Sequence, residues 1–245
     1  MPALLPHVPR LPGPFVPAEP SVTTPLGVLV LRAELGGRPV PSRPTRLHRL
    51  PAGGLLYRWE RADADLELLL CPLRTPASEV SLAVDNGWGA VWGLDARTAL
   101  DRVRLTASFQ AVPADVYSGY AGGQSLAAVE LSDPGTVLHL GGSDEEEICA
   151  RARSGSGVPR AWAARLDEVY ARGRRPAWGV EYLDEHQGLR WTLPPLAAGD
   201  HVRLHAAVGW RTPRPDDPED DESTWWAVLT DPERILAAAE GDTAA

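Results

Sequence analysis

From about residue 27 to 140 the pattern is strand-like, with several short runs in which apolar side chains stand at every second position. This period leaves few folds open. It belongs to strands with one buried and one wet face, because helical apolar positions recur at spacings of three and four. The run from Gly27 to Leu35 is rich in leucine and valine and stops at Gly36-Gly37. Leu55, Tyr57 and Trp59 alternate with Leu56, Arg58 and Glu60, and Leu66, Leu68 and Leu70 share a face. Val80, Leu82 and Val84 alternate with Glu79, Ser81 and Asp85, and Asn86-Gly87 follows. Asn-Gly between two such runs predicts a type I′ hairpin turn with positive φ at both residues. The return strand then carries Trp88 and Trp92 on one face with Ala90. Further strands are expected over 178–183, 189–193, 201–210 and 224–229.

After Gly141-Gly142 the period changes. Ser143 and Glu146 have capping-box spacing, and Asp144 to Glu147 put negative charge where a helix dipole favours it. Ile148, Cys149 and Ala152 then form the stripe of a short helix that ends near Gly155. A second helix opens at Pro159, carries Trp162, Leu166, Val169 and Tyr170 on one side, and closes at Gly173. A last helix takes Asp231 as its cap, Pro232 as its first residue and Gly241 as its end. The expected fold is α+β and β-rich: a mostly antiparallel sandwich or open barrel with a two-helix insertion near 143–172 and a C-terminal helix. A parallel sheet would need helices alternating with the strands.

Residues 1–25 are proline-rich and read as an extended lead-in, 26–240 as a single β-rich globular domain, and 241–245 as a tail. Residues 101–107 resemble residues 200–206, which suggests two similar β units, 26–115 and 125–230. Alternating Val, Leu and Arg arises readily by chance, however, and chance is the simpler account.

Composition narrows function mainly by exclusion. There is no lysine, Asn and Met occur once and Ile twice, while Arg, Ala, Gly and Pro abound. That is the imprint of a GC-rich coding sequence and points to a high-GC bacterium. Arginine is therefore no sign of nucleic-acid binding, and the net charge of −9 opposes it. No apolar stretch approaches the ~20 residues of a membrane span. The N-terminus has neither a basic start nor an apolar run unbroken by proline, so the expected compartment is the cytoplasm and no membrane partner is expected. Cys71 and Cys149 sit in apolar patterns and are expected as buried, reduced thiols.

Ten of the 33 carboxylates but only one of the 24 basic side chains lie in residues 216–245, so the first 215 residues are neutral. Asp216, Asp217, Glu219, Asp220, Asp221 and Glu222 form a self-repelling acidic loop beside Trp225-Trp226. It lacks the alternating oxygens and central glycine of a calcium loop. On a strand, one of the two tryptophans would be buried and the other would pack under the last helix or stay open beside the carboxylates. His201 and His205 are four apart, but on a strand they stand about 13 Å apart and cannot share a metal. They are expected on a solvent-facing polar row with Arg203. Glu181, Tyr182, Asp184, Glu185 and His186 make a charged strand end without a nucleophile or an oxyanion donor.

No catalytic residue, metal site or cofactor is expected, and the balance leans away from an enzyme. The first functional reading is a binding or regulatory protein that engages a basic protein partner through the 216–222 loop and neighbouring tryptophans. The alternative is a small-molecule enzyme or ligand binder with a tryptophan-lined pocket in the β body. Trp88, Trp92 and the aromatic-flanked loop 117–125, with Tyr117 and Tyr120, would wall it.

Overall fold

A computed structural model of the chain describes residues 4–9, 19–74, 84–123, 125–164, 178–183, 185, 187–213 and 222–241. The strands are β1 (Ser21–Thr24), β2 (Gly27–Leu35), β3 (Arg38–Pro39), β4 (Arg46–Arg49), β5 (Leu55–Glu60), β6 (Ala64–Pro72) and β7 (Asn86–Ala96). They continue with β8 (Val103–Gln110), β9 (Tyr117–Tyr120), β10 (Leu126–Asp133), β11 (Thr136–Ser143), β12 (Gly179–Tyr182), β13 (Gly188–Leu193) and β14 (His201–Arg211). Helices are α1 (Glu145–Ser154), α2 (Glu222–Val228) and α3 (Pro232–Glu240).

Every strand pairing is antiparallel, and the strands make two open sheets. One has eight strands in the order β4-β5-β6-β7-β14-β11-β10-β9. The other has six, in the order β1-β2-β8-β13-β12 with β3 attached to β2. Their facing sides share one core, in which Leu31, Leu105 and Trp191 of the smaller sheet meet Leu68, Trp92, Val129 and Leu204 of the larger. The rings of Trp92 and Trp191 tie the layers together at 5.8 Å. The expected β-rich antiparallel sandwich is what forms.

The two sheets differ on their outer sides. The six-stranded sheet turns Arg32, Glu34, Arg104, Glu181 and Arg190 to water, with cross-strand ion pairs Arg104–Glu34 and Arg190–Glu181. Its alternation is therefore clean. The eight-stranded sheet is covered on both faces over its central strands. Leu4, Leu5, Ile235 and Ala239 pack on Leu69, Cys71 and Val91, while Val228 packs on Leu126, Ala128 and Ala207. Glycines make the seats. A Cβ on Gly89 would stand 2.8 Å from Ile235, one on Gly93 2.8 Å from Leu4, and one on Gly141 2.9 Å from Val228. The proline-rich lead-in thus begins as part of this outer layer, and the Leu4 amide donates to the buried Glu67 carboxylate at 2.7 Å.

Several expectations are corrected. Asn86-Gly87 is not a turn: it opens β7 opposite Trp210 and Gly209 of β14, and Gly87 does not have positive φ. The Leu73 amide donates to the Gly87 carbonyl at 2.9 Å, so pairing on both sides of β7 overrides the local turn preference. Of the run preceding it, residues 80–83 lie outside the described residues. Residues 224–229 form most of α2 instead of a strand, because Val228 must seat on Gly141 and the sheet there already has its partners. Residues 117–120 are the strand β9, not a loop.

The cap of α1 is Asp144, whose carboxylate accepts from the Glu147 amide at 2.9 Å, since Ser143 is spent on β11. His205 is fully buried under the outer layer, not solvent-facing. Of the second helix, residues 161–164 are helical, and 165–173 lie outside the described residues. Both cysteines are buried and free. The resembling segments 101–107 and 200–206 lead into β8 and β14, which belong to opposite sheets.

Candidate binding site

At one edge of the eight-stranded sheet, β9 pairs with β10 on one side, and among the described residues no strand pairs with its other side. The register places Tyr120 opposite Val129, on the inner face, and Tyr117 opposite Ser132, on the outer face. Both rings are 61% exposed. Ala121 directly follows, and its carbonyl accepts the indole N–H of Trp225 at 2.7 Å. That bond pins α2 to the β9 edge. Trp226 stands edge-on to Trp225 at 5.2 Å and is 40% exposed. Tyr117, Tyr120 and Trp226 are the large hydrophobic side chains that stay open to water among the described residues; Tyr120 faces the inner side of the sheet, Tyr117 the outer side, and Trp226 belongs to α2.

On the inner side of β9 a cleft of about 450 Å³ separates the sheets, walled by Tyr120, Tyr182, Ser125, Asp144, Glu145 and Glu146. Tyr120 and Tyr182 meet edge to face at 5.0 Å. Gly122 is needed between them, because a Cβ there would stand 2.8 Å from one phenol oxygen and 2.9 Å from the other. Burial, then the neighbouring Tyr120, pushes the Tyr182 phenol up, so it stays a neutral hydrogen-bonding group. The three carboxylates come from the start of α1. Glu145 reaches across to accept from the Val180 amide of β12 at 2.9 Å, which fixes α1 against the smaller sheet. Burial raises the Asp144 carboxyl even though the Glu147 amide bonds it.

Chemically, this is a surface of aromatic faces and acceptors without a cation of its own among the lining residues. Aromatic quadrupoles and carboxylates both favour guanidinium and ammonium groups. Among the described residues that line the cleft, none pairs a nucleophile with an activating base. Deeper in the larger sheet's outer layer, Ser143, His205 and Glu147 do meet, with Ser143 Oγ 3.1 Å from His205 Nδ1. The order is wrong for hydrolysis, because the serine stands between the histidine and the carboxylate. Ser143 and His205 are also fully buried. Burial, with the Arg151 guanidinium, holds His205 neutral down to about 3. This trio is a structural network. Among the described residues no group of three or more His, Cys, Asp and Glu is placed to hold a metal.

The residues singled out in the sequence separate. Tyr120 lines the cleft, and Tyr117 lies over Gly119 on the outer face. Trp92 is buried beside Trp191, and Trp88 is half-buried against the core; neither lines this cleft. Trp225 is half-buried on a helix. Asp216, Asp217, Glu219, Asp220 and Asp221 lie outside the described residues, and Glu222 opens α2 directly after them. Tyr182, Asp144–Glu146 and Ser125 as cleft walls, and Trp226 as the exposed partner of the pair, emerge only from the fold. They are far apart in sequence and carry no spacing that would join them.

Comparisons with known proteins find no matching family model and no matching curated protein. Among solved structures, a chain named as a kojibiose phosphorylase from the human microbiome superposes with a TM-score of 0.48 at 7% identity, over 89% of this chain and 28% of that one. A polysaccharide lyase superposes with a TM-score of 0.37 at 12% identity, over 76% of this chain and 25% of that one. The present chain thus spans about a quarter of the length of each.

Proposed function

We propose that this is a binding protein that captures a basic polypeptide segment on the aromatic and acidic face around β9, in the cytoplasm of a high-GC bacterium. The observation that carries the reading is that Tyr117, Tyr120 and Trp226, the large hydrophobic side chains left exposed among the described residues, belong to β9 and to the helix that the Trp225–Ala121 hydrogen bond ties to its end. Soluble proteins seldom leave several large aromatics exposed together unless something covers them. Asp144, Glu145 and Glu146 line the inner cleft with Tyr120, and in sequence the six carboxylates of 216–222 directly precede Ser223 of α2. Charge selects an arginine- or lysine-rich partner, and the rings supply the anchors that dominate interface energy. The side of β9 on which no described strand pairs also offers main-chain groups to an added extended segment.

Titration calorimetry with an arginine-rich peptide tests this. Saturable binding that weakens as salt rises is expected. Replacing Tyr120 and Trp226 together by alanine should weaken it by about tenfold or more. Neutralising the carboxylates of 216–222 should flatten the salt dependence. Equal affinity in both variants would defeat the proposal.

A further inference from the structure

We propose that the gap between the two sheets beneath β3 is a binding pocket for a small aromatic molecule, indole-sized or smaller. The space measures about 180 Å³. Leu31 and Ala33 of β2 form one wall; Leu66, Leu68 and Trp92 form the other; Trp59 closes the end. These side chains belong to the main core, where two stacked sheets normally interdigitate without voids larger than a water molecule. Here they stop short of each other.

Water is a poor occupant. A buried water needs two or more polar partners; Glu19, Arg32 and the exposed Ser42 stand at the rim, and the inner walls behind them are apolar carbon. The one polar atom of Trp59 is already used, since its indole N–H donates to the Pro41 carbonyl at 2.8 Å. An apolar cavity of about 150 Å³ suffices to hold benzene, so this space accommodates a single ring with a small substituent. The rings of Trp59 and Trp92 suit a flat aromatic guest, which gains from edge or offset contact beyond simple burial.

The mouth is built to stay open. Pro20, Pro39 and Pro41 stand at the rim beside Val40 and Ser42, and the fixed φ of the prolines stiffens it. The rim's charges, Arg32 and Glu19, bind one another at 2.8 Å, so they impose no net sign on the entrance. A neutral ring is the guest this arrangement fits. The pocket sits by β5–β7, towards the opposite edge of the larger sheet from β9, and is independent of the basic-partner reading.

Toluene and indole are the probes, titrated into the full chain by calorimetry and by NMR. Saturable binding of at least one is expected. Ala33→Leu, which fills the gap from the β2 side, should raise its Kd about tenfold or more while the protein stays folded. No saturable signal from either probe up to its solubility would overturn the pocket, and so would unchanged affinity in A33L. If A33L does not fold, nuclear Overhauser contacts between toluene and the Trp92 and Leu68 protons in the unaltered protein decide the matter. Their presence supports the pocket, and their absence from a bound probe refutes it.

Discussion

Glu147 shows how one side chain acquires properties its type does not predict. In α1 it lies under the outer layer, and burial pushes its carboxyl up to about 7, against the pull of Ser143 and Arg151 and with the help of Asp144 and Asp231. Between the ordinary carboxylate value and 7, the folded protein holds a proton that the unfolded chain has released. Stability therefore falls as pH rises through that window. Glu147→Gln should be the more stable protein at pH 8, by about 1–3 kcal/mol, and lose its advantage below pH 4.5. Urea denaturation from pH 4.5 to 8 measures this; a difference constant with pH would contradict it. The buried histidines work the other way. Burial holds His139 down to about 4 and His205 to about 3, so the unfolded chain takes up their protons first and stability is lost as pH falls below 6.5. The sequence offered His205 as a solvent-facing residue because its neighbours alternate. It could not show that helices roof the face on which that residue stands.

At the scale of elements, contact with neighbours decided what local preference left open. β2, β5 and β13 match their alternating runs closely, and α3 has the cap, first proline and terminal glycine expected of it, with Asp231 accepting from the Arg234 amide at 2.8 Å. Asn86-Gly87 and Trp225-Trp226 misled for a common reason. Each carries a strong local signal, and each lies where a central strand or a covering helix contributes more free energy than a turn or a strand would. Glycine marks the seats of those helices. Gly141→Val should destabilise the fold by about 1–3 kcal/mol, because its side chain would meet Val228 and Leu126. Gly87→Ala should change stability by less than about 0.5 kcal/mol, since a Cβ there meets nothing closer than 3.5 Å and φ is ordinary. Thermal melts separate the cases, and comparable losses for both would mean that α2 does not rest on the bare backbone of β11.

For the whole molecule, the decisive fact is that one sheet is wet on its outer side and the other is covered on both sides over its central strands. Core tryptophans and surface tryptophans therefore answer different demands. Trp92→Ala should cost about 3–5 kcal/mol, because it removes the ring that meets Trp191 between the layers. Trp226→Ala should leave the denaturation midpoint almost unchanged while weakening partner binding, and a large stability loss would show that Trp226 is a packing residue instead. Period-two alternation, glycine and proline punctuation and helix caps were enough to indicate a β-rich, mostly antiparallel sandwich or open barrel with one C-terminal helix; that it is a sandwich, and that a further helix stands at 222–228, came from the structure. Alternation, punctuation and caps are local signals that each segment carries by itself. Sheet order, the roof over β6, β7, β11 and β14, and the meeting of Tyr120, Tyr182, Trp226 and the α1 carboxylates were decided by the tertiary structure alone. Such groupings depend on which buried surfaces fit one another across long stretches of chain, and no local period records that fit.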